Sequence, residues 1–180
     1  MKKLFFALSI FFLASCAAQK YTAADYPIPF QIEQIDTVAG TKDALFVKAN
    51  EWVAKTFNSA KDVIQMHDKE AGKIIAKGIM ETKGTIGLIS GSYFIKYTIS
   101  IDVKDGRCKV KFSDFVLNET RCYTTNGLHT KSYNSSFDND KLPYNVSAKT
   151  WGNVKGDCWH QAKALLKDFK IHMNQKSENW

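Results

Sequence analysis

Tyr97-Thr98-Ile99-Ser100-Ile101-Asp102-Val103-Lys104-Asp105-Gly106-Arg107-Cys108-Lys109-Val110-Lys111-Phe112 alternates apolar and polar side chains on both sides of an Asp-Gly pair. Such a pair suits the two left-handed positions of a tight turn, so the stretch predicts a β-hairpin looped at Asp105-Gly106. Counting outward, Lys104 lies opposite Arg107; Val103 then lies opposite Cys108, Ile101 opposite Val110 and Ile99 opposite Phe112, and the face these three pairs share is apolar throughout. The other face sets Asp102 against Lys109, a favourable charge pair, and Ser100 against Lys111. A one-residue slip would turn every side chain over, so burial of one face holds the register. The stretch predicts the centre of an antiparallel sheet with one packed and one wet face. It defines architecture and carries no chemistry.

Upstream, Phe30, Ile32, Ile35 and Val38 predict a first strand over 29–38, ending at Gly40. Thr41 suits the N-cap of a helix over 42–57, where Leu45, Ala49, Trp52, Val53 and Phe57 fall on one stripe. Trp52 on that stripe is expected in the core. Val63–Met66 and Gly72–Thr82 predict two strands joined by a turn at 68–71, and Gly84, Gly87 and Gly91 predict a flexible connection to the strand that begins near Ser92. Past Phe112 the alternation breaks at Ser113-Asp114 and resumes at Phe115, as a β-bulge returning Phe115 to the packed face opposite Tyr97 would require. Residues 118–147 are rich in Asn, Thr, Ser, Tyr, Gly and Asp and predict an irregular excursion with a short strand around 131–133. Its aromatic residues, Tyr123, His129, Tyr133, Phe137 and Tyr144, mark it as the place to expect a binding surface. Trp151, Val154, Cys158, Ala162, Leu165 and Phe169 predict a last helix over 148–173, firm from Asp157 because Gly152 and Gly156 weaken its start.

The 180 residues are one domain's worth, with 44% hydrophobic and 24% charged content. Met1-Lys2-Lys3 followed by the apolar run Leu4–Ala14 has the form of a signal peptide over 1–15, too short to span a bilayer. Leu13-Ala14-Ser15-Cys16 resembles the lipobox of bacterial lipoproteins. The resemblance implies that Cys16 carries a diacylglyceryl group and becomes the first residue, with a further acyl chain (palmitate) on its amine. At ~0.8 kcal/mol per buried methylene, two or three chains hold far more firmly than one. A chain starting at Cys16 keeps 23 basic and 18 acidic residues, a net +5. Ala17 in place of an aspartate implies the periplasmic face of the outer membrane, and residues 16–28 form the lipidated start and a polar tether.

The runs Gly40–Leu45 through Trp52, Phe57–Gln65, Asp68–Gly78 and Tyr97–Arg107 together resemble the bacterial domain-of-unknown-function family 4468, which has a TBP-like fold. The resemblance spans about residues 30–117. It implies an α+β domain over 29–175, built as strand, helix, four antiparallel strands and helix, with the helices on one face of the sheet. Members are often exported or lipid-anchored. The family supplies no catalytic residues.

With Cys16 assigned to lipid, Cys108, Cys122 and Cys158 remain, and an oxidising compartment allows one disulfide among three pairings. Cys108 falls on the packed face of the hairpin. Cys122 with Cys158 would staple the excursion to the last helix. His67, His129, His160 and His172 are scattered, and Cys158 and His160 point to different faces of a helix. Asp138 and Asp140 do not follow a calcium-loop pattern, and no CxxC, GxSxG, HExxH or phosphate-loop motif occurs. No cofactor or metal is expected. The sequence therefore predicts a non-enzymatic, lipid-anchored envelope module that binds a protein or glycan through its sheet and the 118–147 excursion. The alternative is a small periplasmic enzyme whose site gathers Asp114, His129 and Asp138. Nucleic acid is not an expected partner, since an exported chain without an arginine-rich stripe meets little of it.

Overall fold

The Asp105-Gly106 hairpin forms in the predicted register, with Lys104 opposite Arg107, Ile101 opposite Val110 and Ile99 opposite Phe112. Gly106 takes the left-handed conformation its turn needs, at φ 72°. Asp102 sits between Lys109, at 3.7 Å, and Lys73 of the neighbouring strand, at 3.6 Å. The turn also caps a helix: Asp105 Oδ1 accepts from the Lys42 amide at 2.6 Å, and Thr41 Oγ1 accepts from the Ala44 amide. Two of the four amides left open at that helix start are satisfied this way.

The computed structural model describes residues 25–57, 63–139 and 141–175. Within them the order is β1 (Ile32–Thr37), α1 (Lys42–Thr56), β2 (Ile64–Asp68), β3 (Lys73–Ile86), β4 (Ile89–Lys104), β5 (Arg107–Thr124), β6 (Gly127–Ser136) and α2 (Ala148–Asn174). All pairings are antiparallel, in the order β1-β5-β4-β3-β2, with β6 also on β5. One edge of β5 faces β4. Its other edge is shared end to end by β1, along residues 107–112, and β6, along 116–124. The division between them falls at the predicted bulge, where Asp114 has φ 54° and Phe115 stacks on Tyr97 at 5.7 Å.

Both helices lie on one face of the sheet, making a two-layer α+β fold with the core between the layers. α1 contributes Leu45, Ala49, Trp52 and Val53, and α2 contributes Trp151, Val154, Cys158, Ala162 and Phe169, all buried. The helices are tied by Trp52 Nε1, which donates to Asp168 Oδ2 at 2.8 Å. Phe30, Phe115, Phe137 and Trp151 stack in sequence with centroids 4.8–5.7 Å apart, the spacing that aromatic pairs favour. Asp138 Oδ1 accepts from the Phe30 amide at 2.6 Å and fastens the entry of β1 beside the end of β6.

The excursion at 118–147 is largely regular sheet. β5 runs on to Thr124, and β6 is a fifth strand after α1, where four were expected. Residues 127–132 are exposed on both faces, so burial imprints no alternation on them. The expected connection at Gly84–Gly91 is a tight turn at Gly87-Leu88, with both strands running through the flanking glycines. Gly84 lies under Tyr93 and Gly91 under Ile86, so close packing, not flexibility, requires glycine there. Ile35 points to the open face at 64% exposure. α2 is regular from Ala148, its first turn held by Ser147 Oγ accepting from the Thr150 amide. Tyr26, placed in the tether by sequence, packs against Phe30 and Trp159.

Candidate functional site

Among the described residues, nothing covers the face of the sheet away from the helices. Towards the β3–β4 and β5–β6 turns it holds a groove of about 850 Å³ lined by Glu81, Lys83, Ser92, Phe94, Arg121 and Tyr123 among others. The strand period places these side chains together: Glu81 opposes Phe94, Lys83 opposes Ser92, and Ser92 in turn opposes Arg121. Phe94 forms an aromatic floor, with the Arg121 guanidinium 4.3 Å above its centroid. Glu119 orients that guanidinium through its carboxylate, and Lys83 pairs with Glu81 and donates to Ser92 Oγ at 2.8 Å. Hydrogen bonds from Lys83 and Ser92 hold the Glu81 carboxyl below its ordinary pKa. Beyond the groove the two turns carry exposed apolar side chains, Leu88 and Ile89 on one and Tyr123 and Leu128 on the other, with Leu88 fully exposed and Tyr123 76% exposed.

The aromatic residues expected to form one surface are dispersed. Tyr123 reaches the groove, and Phe137 is buried in the core. Tyr133 donates to the Tyr144 carbonyl at 3.1 Å, and Lys131 Nζ lies 3.8 Å from the Tyr144 ring centroid. Asp114, His129 and Asp138 do not converge. Asp114 lies on the open face beside Lys77 and Lys96, His129 pairs with Cys122 near the far turn, and Asp138 is engaged with Phe30. Seven residues separate His129 from the end of β6, roughly 23 Å of strand. Among the described residues, no group of three or more His, Cys, Asp or Glu could hold a metal ion.

Cys108, Cys122 and Cys158 are unpaired thiols. Cys108 and Cys158 are buried, and Cys122 is half-buried beside the groove. Burial pushes the Cys108 thiol up to about 11, with Asp36 adding to the rise, and raises that of Cys158 further. Cys16 and Asp140 lie outside the described residues. Among those described, no helix is long and apolar enough to cross a membrane. The sequence marked the 118–147 stretch but missed Glu81, Lys83, Ser92 and Phe94. They stand on strands whose outward residues look like ordinary solvent-facing positions, and only strand pairing brings them together.

An antiparallel sheet with two helices on one face, and no described element on the other, defines the architecture. Residues 32–118 match the family described as a domain of unknown function (DUF4468) with TBP-like fold. It is similar to a DUF4468 family protein from Bacteroides ovatus, with TM-score 0.55 and 14% identity over 83% of this chain and 89% of that one. A TBP-like protein from Parabacteroides distasonis is similar with TM-score 0.56 and 16% identity over 83% of this chain and 94% of that one. At these identities the likeness is one of fold. No curated protein matches the chain significantly.

Proposed function

We propose that the protein is a lipid-anchored envelope module, non-enzymatic, that binds a partner protein through the groove and turns at the far end of its sheet. The observation that carries this reading is the pairing of an aromatic-floored groove with Leu88, Ile89, Tyr123 and Leu128 exposed beside it. Exposed aliphatic side chains gathered next to a polar-rimmed groove mark protein contacts rather than solvent-facing ornament. They suit a protein surface better than a glycan, which offers hydroxyls. The anchor rests on Leu13-Ala14-Ser15-Cys16.

Two measurements test it. The intact mass of the protein from its own membranes should correspond to a chain starting at Cys16 plus two or three acyl groups. A mass retaining Met1, or lacking lipid, removes the anchor. Photo-crosslinking residues placed at Leu88 and at Tyr123 in living cells should give the same adduct, with none from the exposed Ile171 on α2. Adducts of unrelated size, or equal labelling from Ile171, would sink the binding reading.

A further inference from the structure

We infer that β6 is an acceptor edge onto which an extended, acidic segment of a partner protein adds as a further strand. The inference rests on the far end of the sheet being a protein-binding surface, and it names the form the partner takes. Among the described residues β6 pairs with β5 alone, which leaves its other edge open. Residues 127–132 pair with 119–124 in unbroken register, which makes six residues, about 20 Å, of regular edge. The register shifts beyond Ser132, on the way to Ser135. Among the described residues, no hydrogen bond outside the β5 ladder reaches the main chain of 127–132.

Sheets ordinarily blunt such an edge with proline, a bulge, charge or a covering element. The free half of β3 is treated this way: Gln161 of α2 donates to the Glu81 carbonyl at 3.2 Å, and Thr150 bonds Thr85. Among the described residues none covers β6 over 127–132, the strand has no proline, and its one charged residue is Lys131. An added strand gains main-chain hydrogen bonds from such an edge, and side-chain pairing sets its sequence. Lys131 opposes Thr120, placing it on the helix side of the sheet with His129 and above the Tyr144 ring. No carboxylate lies within ion-pair reach of Lys131 among the described residues, and β6 carries no acidic residue. A second copy adding its own β6 to this edge would bring only more positive charge. An incoming strand with glutamate or aspartate opposite Lys131 supplies what is missing.

The test uses the full chain in detergent and two synthetic eight-residue peptides. One alternates valine or threonine with glutamate, and the other has lysine in place of glutamate. The acidic peptide should bind about five- to tenfold more tightly and slow amide exchange in 127–132. Lys131→Glu should reverse the preference, and Lys131→Gln should abolish it. Failure of the acidic peptide to bind, protection confined to the groove, or a preference indifferent to Lys131 overturns the inference. So does slow exchange at 127–132 in a peptide-free dimer, which would mean a second copy holds the edge. If the inference falls while the Leu88 and Tyr123 crosslinks persist, the far-end reading stands. Loss of both removes both.

Discussion

Gly78 lies directly across from Tyr97, whose ring covers it. A Cβ at Gly78 would overlap Tyr97 Cζ and Oη, and that ring is wedged between the strand and Phe112 and Phe115. Gly78→Ala should therefore cost about 1–3 kcal/mol by overpacking, read from urea unfolding. Combining it with Tyr97→Leu should cost less than the sum of the two single changes, because the clash needs both residues. A simple loss of strand propensity would leave the two changes additive.

Among the elements, α2 depends on its first turn. Ser147 Oγ accepts from the Thr150 amide at 3.1 Å and bonds its hydroxyl at 2.9 Å, so Ser147→Ala should destabilise by ~1 kcal/mol. Asp138 is the other fastening, and Asp138→Ala frees the Phe30 amide that enters β1. A loss of ~1.5–3 kcal/mol is expected, together with faster amide exchange at the start of β1. The legibility of each element tracked its burial. The 97–112 hairpin was readable to the residue because one face is wholly inside. β6 was legible only as a short strand at 131–133, since an edge beyond the helices has no inside. α2 was readable as a stripe from its start, but its first turns were expected to be weak, whereas Gly152 and Gly156 are buried there, packing that offsets their poor propensity.

At the scale of the whole molecule, burial pushes Cys108 up to about 11 and Tyr93 to about 12, and raises Cys158 and Tyr97 as well. In the unfolded chain these groups ionise near their ordinary values of 9.0 and 10.0. Stability from them is complete below about pH 9 and is lost as pH rises through the folded values, because only the unfolded chain then releases protons. The melting temperature should be flat from pH 7 to about 9 and then fall steadily. A melting temperature that holds to pH 11 would contradict the burial of these groups. The candidate site was the least legible part of the molecule. Its turns were visible as residues, but the groove exists only through pairings such as Glu81 with Phe94, which outward-facing polar positions do not announce.

The sharing of one edge of β5 by β1 and β6 bears on the order in which the chain is made. β3, β4, β5 and β6 each find a partner in the strand made immediately before or after. β1 has no such neighbour, since its residues pair with residues 70 to 80 positions later. Emerging before the strand it joins, it must wait with Phe30 and Ile32 uncovered until some 70 to 80 further residues have followed. The meander can zip from local contacts, whereas seating β1 closes a long loop against entropy. Among the described strands, β1 is thus the first synthesised and the last to find its place.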